Sequence, residues 1–253
     1  MDLHGGRGAE PGAAFVDLHC HTSASFDSLA DPLAVVRAAR SRGITHLAIT
    51  DHDRIDGAVR ARDAALPGIT VIVGEEVRTT EGDLVCIFLE EAIPPGLPAA
   101  EVIARARAQG ALVGIPHPFD HWRGSVGKAE ERIAALAGLV DWVEAHNARV
   151  VLREANERAA ELARRWGVPG IAVSDAHTAL EVGVAATRLV GDPSTPGGLL
   201  AALATASVVP GRASLYVRAV TPLAKLVQRV RGNGRVRPGA RPDPGVASGR
   251  RAP

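Results

Sequence analysis

Aromatic side chains are nearly missing from this chain: 3% of 253 residues, with a single Met beside them. Packing must therefore rest on Ala, Val, Leu and Ile, a composition suited to layers of helix and sheet. Cysteine is almost as scarce. Cys20 and Cys86 both sit inside apolar runs without a CxxC pair, which excludes a disulfide framework or a cysteine zinc knuckle and leaves them as small buried hydrophobes. No segment approaches the roughly 18 consecutive apolar residues of a membrane helix, and the first 14 residues lack the apolar run of a signal peptide. The expectation is a soluble, cytoplasmic protein with no membrane insertion. Oligomeric state is left open.

Charge is close to balanced at +1 overall, but unevenly spread. Eight of the 29 basic residues and only Asp243 among the acids fall after residue 222, which leaves residues 1–222 at −6. An acidic body suits a site that collects cations. The basic end is either a solvated tail or a contact for nucleic acid or acidic lipid.

Short β-branched runs alternate with Ala/Arg/Glu stretches of helical period, the pattern of βα units around a parallel sheet. Strands are expected near 14–18, 44–50, 69–73, 84–89, 111–115, 140–145 and 171–174, with two more at 187–190 and 207–209. Helices are expected at 31–42, 56–65, 98–109, 128–137, 150–166 and 196–206. Asp31-Pro32 reads as an N-cap with proline at the first helical position, and Gly43 and Gly110 close helices before the next strand. The division expected is a flexible 1–13, a domain over 14–215, a C-terminal helix over 216–230 and a disordered basic tail over 231–253. That helix would dock through Leu223, Leu226, Val227 and Val230.

The polar residues matter for where they fall. Five apolar runs end in metal-ligand residue types: 14–18 in His19 and His21, ITHLAIT in Asp51 and His52, ITVIVGE in Glu76, ALVGIP in His117, and IAVS in Asp175 and His177. In a parallel βα barrel, the carboxyl ends of all strands open on one face, so these distant positions converge. Six of nine histidines (19, 21, 52, 117, 146 and 177) lie at such ends. Residues two apart on an extended segment point the same way, so His19 and His21 can reach one ion, with Asp17 as a candidate acceptor orienting an imidazole. An N/O ligand set without thiolate suits Zn²⁺, Mn²⁺, Fe²⁺ or Mg²⁺.

The ordered series DLHCH…SFDS, LAITDHD, VGEEV, IPHPFD and VSDAH resembles the PHP (polymerase and histidinol phosphatase) family over about residues 14–215. The resemblance implies a distorted seven-stranded βα barrel, TIM-like, with two or three divalent metal ions in a phosphoesterase site. Carried over residue by residue, it has His19, His21 and Asp175 holding one ion, Glu76 bridging to a second beside His117, and Asp27, His52 and His177 forming a third position. Its Gly-x-Glu spacing selects Glu76 over Glu75. At Asp83, many relatives have a histidine ligand of the second ion, so this sequence departs from the pattern there.

Glu76, His52, His177 and Asp175 are the candidate catalytic residues. Arg123 and Arg149 are candidates to clamp a phosphoryl oxygen. Asn147 matches the family's pocket position, whereas His146 is either a site residue or a strand-end histidine at the rim. His121 reads as a phosphate contact or a solvated loop residue, His46 as packing, Asp51 as support for the ligands and Asp53 as the cap of 56–65. With no P-loop and no G-x-S-x-G elbow, the expected nucleophile is a metal-bound hydroxide. The expected substrate is a small phosphomonoester, a nucleotide or a short nucleic acid. Alternatives are a 5′-3′ exonuclease, a histidinol-phosphatase-like enzyme, a metal-dependent amidohydrolase or a non-catalytic metal-binding module. Lys128 and Lys225 are the only lysines and neither ends a strand, which weighs against the amidohydrolase.

Overall fold

The computed structural model describes residues 12–120 and 134–238. Nine strands form one nearly closed sheet: β1 (Ala13–Asp17), β2 (His46–Ile49), β3 (Thr70–Arg78), β4 (Asp83–Ile87), β5 (Leu112–Ile115), β6 (Trp142–Asn147), β7 (Gly170–Val173), β8 (Ala186–Val190) and β9 (Ser207–Val209). Among the described residues the helices are α1 (Pro32–Ser41), α2 (Asp56–Asp63), α3 (Ala99–Ala108), α4 (Arg153–Trp166), α5 (Pro196–Leu203), α6 (Leu215–Arg218) and α7 (Val220–Val230). The helix expected at 128–137 lies mostly outside them.

The strand order is β7-β6-β5-β4-β3-β2-β1-β8-β9. Beyond seven strands the sheet continues through β8 and β9, the two expected at 187–190 and 207–209. Nor is the sheet all parallel: β4 runs antiparallel to both β3 and β5, and β8 runs antiparallel to β1 and β9. The cause at β4 is chain length, since the four residues after β3 can form a hairpin but not a crossover. This reversal has a consequence for the site. β4 begins where the parallel strands end, so its first residue, Asp83, stands at the same mouth as their carboxyl ends.

No strand ladder joins β7 to β8. Thr187 links them instead, its hydroxyl accepting from Ala172 N (2.8 Å) and donating to Ala172 O (2.9 Å). Inside the sheet, Val16, Leu18, Ala48, Ile72, Ile87, Ile171, Val173 and Leu189 pack around the fully buried Trp142. Gly114 makes room for that indole, which a Cβ at this position would overlap. The opposite faces of β2, β4 and β5 meet Val35, Val36, Ala58, Val102, Ala106 and Leu162 on the outer helices. Small helix residues let the helices approach closely, which is how a core forms with so few aromatics.

Local signals were partly obeyed. Asp31 caps α1, accepting from Leu33 N and Ala34 N (3.0 and 3.3 Å), and Pro32 opens it. Asp53, however, does not cap α2, whose N-cap is Ile55 without a side-chain bond. With φ of 58°, Asp53 turns its carboxylate to Arg78 N (2.9 Å) instead. His46 packs within β2, its Nε2 3.0 Å from Ser194 Oγ.

Of the four residues expected to dock the C-terminal helix, only Val227 is half-buried. Leu223, Leu226 and Val230 are exposed (56%, 59% and 81%), while Ala224 and Gln228 are buried. Gln228 Nε2 donates among the carbonyls of Ser23 (2.7 Å), Ser25 (3.0 Å) and Ser28 (2.7 Å), all on the loop that follows β1. Buried carbonyls without donors cost more than three half-solvated apolar side chains recover, so polar satisfaction sets the register. Gln228→Ala is expected to destabilise the protein by about 1–3 kcal/mol, measured as a lowered urea midpoint at unchanged m-value.

Candidate metal centre

The mouth of the barrel gathers buried imidazoles and carboxylates from six strand ends. His19 and His21 leave β1 on the same side, with ring centroids 5.0 Å apart and their Nε2 atoms 3.0 Å apart. His19 Nδ1 lies 2.6 Å from Glu144 Oε1, which makes Nδ1 the donor and turns the Nε2 lone pair inward. Glu76, from β3, stands opposite. Its Oε2 is 3.5 Å from Nε2 of both His19 and His21 and 3.0 Å from His52 Nδ1, and its Oε1 is 3.3 Å from His117 Nε2. Asp175 Oδ1 completes this side at 3.8 and 3.5 Å from the same two Nε2 atoms.

A second group adjoins the first. Asp27 Oδ2 is 3.2 Å from Nε2 of both His52 and His177, and the His21 ring lies 4.6 Å from His52 and 4.3 Å from His177. Ser25 Oγ donates to Asp27 Oδ1 (2.8 Å) and Ser28 Oγ to the His177 carbonyl (2.8 Å). Two sets, His19–His21–Glu76 and His21–Asp27–His52–His177, each offer ligand atoms all within 4.8 Å of one another. His21 is shared. Lone-pair donors crowded this closely, with no thiolate (Cys20 Sγ points to Ala48 O at 3.2 Å), are a donor set that fits divalent cations of the Zn²⁺, Mn²⁺, Fe²⁺ and Mg²⁺ kind.

Asp17 does not orient His19. Buried by β1, it accepts from Ser174 N (3.0 Å) and Gly183 N (2.9 Å), fixing the loops after β7. The orienting carboxylate is Glu144, a residue the sequence reading missed. Its Oε2 also accepts from His117 N and Asn147 Nδ2 (both 2.9 Å). The available signal was a single acid inside the apolar run of β6. Glu181 was missed as well; it accepts from His177 N (3.0 Å) and pairs with Arg149 (3.3 Å).

A bulge in β6 between Glu144 and His146 decides which of two neighbours enters the site. Strict alternation would place His146 beside Glu144. The shift turns Asn147 inward instead, where Nδ2 also donates to Asp175 Oδ2 (2.9 Å). His146 goes to the rim, its Nε2 2.8 Å from Gly211 O, away from the cluster. Arg123 and His121 fall outside the described residues. Asp51 supports the site from behind, accepting from Thr22 N and Oγ1 (2.5 and 2.6 Å), and Gly57 must lack a Cβ for that pair to fit. Glu75 faces away from Glu76 and accepts from Ile93 N (2.8 Å).

Asp83, a ligand candidate by resemblance, lies outside both ligand sets, and its Oδ1 is 3.4 Å from Arg235 NH2. Residues 231–238, assigned by composition to a disordered tail, run back over the mouth. Buried acids hold them there more strongly than solvation of a Gly/Pro/Arg segment releases them.

Electrostatics of the bare cluster follow from mutual proximity. Burial opposes charge on every member. Nevertheless, Glu144, Asp175 and Glu76 raise His19 well above the usual imidazole range, and Glu76 and Asp27 do the same for His52. Against the same burial, their imidazoles hold Glu76 well below the carboxylate range, as His52 and His177 do Asp27. His21, buried among His177, His52 and His19, drops to about 3 and stays neutral. Protonated His19 and His52 must lose protons to bind an ion. Affinity for Mn²⁺ is therefore expected to rise with pH from 6 to 8 with net release of about one to two protons, measured by calorimetry in buffers of different ionisation enthalpy. A pH-independent affinity would contradict these shifts.

Three of the described non-glycine residues with positive φ, Asp53 (58°), His117 (24°) and Asp175 (51°), lie at this mouth. Backbone held in sparsely populated regions costs on the order of 1–3 kcal/mol each and marks a place where the fold fixes a side chain's direction.

The PHP domain family matches residues 17–157, and the PHP-associated family matches 153–208. The chain belongs to the PHP-domain family. Two uncharacterised proteins of Methanocaldococcus jannaschii are each 36% identical to it, over 143 residues (52% of this chain, 81% of that one) and 172 residues (66% and 67%). An error-prone DNA polymerase of Mycobacterium tuberculosis is 29% identical, over 85% of this chain and 24% of the polymerase. Among solved structures, a two-domain protein of Bacteroides vulgatus containing a predicted PHP-like metal-dependent phosphoesterase superposes with a TM-score of 0.66 at 20% identity, covering 79% of this chain and 65% of that one. The lesion-specific endonuclease Q of Pyrococcus furiosus gives 0.57 at 16% identity, covering 78% and 57%. At these identities the likeness is one of fold. This chain spans less than two thirds of either structure and about a quarter of the polymerase.

Proposed function

We propose that this protein is a metal-dependent phosphoesterase acting on a small phosphomonoester or on the terminal phosphate of a nucleotide or short oligonucleotide. The observation that carries the reading is the adjacency of the two ligand sets to a cationic pocket. A cavity of about 170 Å³ opens beside Asp27 and His177 and is lined by Asp120, Arg149, Arg218, Thr221 and Lys225. The nuclease and polymerase relatives give phosphoester chemistry further support.

His19, His21, Glu76 and Asp175 would hold one ion, and Asp27, His52 and His177 another, with His117 beside Glu76. Bound divalent ions supply Lewis-acid charge and lower the pKa of coordinated water. The chain's own residues do the remainder. Arg149, held by Glu181 and by Thr221 Oγ1 (2.8 Å), presents a fixed positive charge to the pocket together with Arg218 and Lys225. They bind and orient a phosphoryl group, and phosphoryl transfer depends mainly on such positioning and charge neutralisation. His177 lines the pocket wall, so the ion it would hold with Asp27 and His52 lies beside the bound phosphoryl group.

The cavity is smaller than the roughly 300–1,000 Å³ of pockets that enclose drug-sized ligands. It suits a phosphate with part of a sugar.

The test is metal removal and readdition of Mn²⁺, Zn²⁺, Fe²⁺ or Mg²⁺ with p-nitrophenyl phosphate, histidinol phosphate, nucleotide 3′,5′-bisphosphates and 5′-phosphorylated oligonucleotides. Metal-dependent hydrolysis of one class is expected. Ion binding without hydrolysis of any of them would sink the proposal.

A further inference from the structure

After α7 the chain turns at Gly232 (φ 77°) and is fastened across the mouth by a series of polar contacts. Asn233 Nδ2 donates to the carbonyls of Ser23 (3.3 Å) and Ala24 (3.0 Å), and its Oδ1 accepts from Arg54 (2.7 Å). Arg78 donates to Val236 O (2.7 Å), and Pro238 sits against Gly96. Between these anchors, Arg235 turns inward. Its Nε is 3.3 Å from Asp53 Oδ2, its NH2 3.4 Å from Asp83 Oδ1, and its guanidinium carbon 5.4 Å from the Phe26 ring centroid.

The two carboxylates explain why a guanidinium goes there. Asp53 and Asp83 are 5% and 3% exposed, at the end of the cluster that also holds Glu76. Three acids at one end of a buried site need positive charge, because an uncompensated buried carboxylate costs several kcal/mol. The imidazoles of His52 and His117 approach Glu76 at 3.0 and 3.3 Å. Arg78 approaches only Asp53, at 4.0 Å. Arg235 is the cation that meets both aspartates, and a permanently charged fork is better suited than a lysine to bridge two carboxylates.

We infer that Arg235 is an internal counter-ion that closes the Asp53–Asp83 end of the metal centre against a divalent cation, so that the segment 231–238 limits how many ions the site takes. The inference rests on reading the cluster as a metal centre. It makes Asp83 a partner of Arg235 and not an ion ligand in the wild-type protein. The two family matches end before this segment, at residues 157 and 208.

Ion content, measured by elemental analysis after equilibration of the full chain with Mn²⁺, tests it. Arg235→Gln is expected to bind about one more ion per chain than wild type, or to hold its weakest ion at least tenfold more tightly; Arg235→Lys, which keeps a cation, should stay near the wild-type count. Combining Arg235→Gln with Asp83→Asn should abolish the gain. Asp83→Asn alone should leave the wild-type count unchanged, an arm that stands even where Arg235→Gln fails to fold. An Arg235→Gln protein identical to wild type, or an ion lost from Asp83→Asn, overturns the inference while leaving the phosphoesterase reading intact. A wild-type protein that binds no ion overturns both.

Discussion

Substituting Glu76 by Gln is expected to lower metal-dependent hydrolysis by about a thousandfold or more while leaving the circular dichroism spectrum unchanged. The carboxylate touches every imidazole of its half of the site: Oε2 lies 3.0 Å from His52 and 3.5 Å from His19 and His21, and Oε1 lies 3.3 Å from His117. Glutamine preserves the shape but removes the charge and puts an NH₂ donor where a second acceptor oxygen stood. No rotamer of the amide serves imidazole lone pairs and a cation together. Ion affinity should fall with activity, because the charge that offsets a dication has gone. The decisive measurement is turnover at saturating Mn²⁺, and activity within tenfold of wild type would show that Glu76 does not join the two ligand sets.

The second large effect is expected at Glu144, which carries no ligand role of its own. Three donors converge on it: His19 Nδ1, the His117 amide and Asn147 Nδ2. Glu144→Gln keeps one acceptor and offers an amide hydrogen to the others, so ion affinity should drop about 10–100-fold through loss of His19 orientation. Glu144→Leu removes the buried acceptor that all three donors share. That variant should lose about 3–5 kcal/mol of stability, read from thermal or urea unfolding of the metal-free protein. The pair of variants separates orientation from folding. If Glu144→Gln binds Mn²⁺ as wild type does, the imidazole needs no carboxylate to hold it.

The bare cluster also predicts its own pH response. His19 and His52 have folded pKa values raised above the ordinary 6.5, so their contribution to stability is complete below that pH and is lost as pH rises through the folded values. Asp27 and Glu76 are depressed, so theirs is present above about pH 4 and is lost on acidification. Metal-free protein should thus be most stable in mildly acidic solution, and ion binding should move that optimum upward by favouring neutral imidazole.

The sequence by itself determined which histidines and carboxylates end the apolar runs, and so which side chains the fold brings to one mouth. Histidine and carboxylate at the ends of apolar runs form a local pattern, and a barrel's parallel strands bring such ends together whatever lies between. HxH at residues 19–21, Glu76, His117, Asp175 and His177 were legible for that reason. Helix starts such as Asp31-Pro32 were legible too, because a cap depends on neighbours two or three residues away.

Tertiary structure alone decided which polar residue does what. Asp17 and Glu144 are alike in sequence, lone acids in apolar strands, yet one clamps backbone amides and the other orients His19. That difference comes from partners more than 100 positions away. The bulge in β6 settled the open reading of His146, sending it to the rim while Asn147 turns inward. Likewise, the helix after residue 219 shows an apolar stripe that a helical wheel would dock. The buried carbonyls of Ser23, Ser25 and Ser28 took Gln228 instead, since unmet hydrogen bonds in the interior outweigh partial burial of leucines. Arg235 is the extreme case: read from composition it belongs to a solvated tail, and only the two buried aspartates that the fold assembles give it a place at the metal centre.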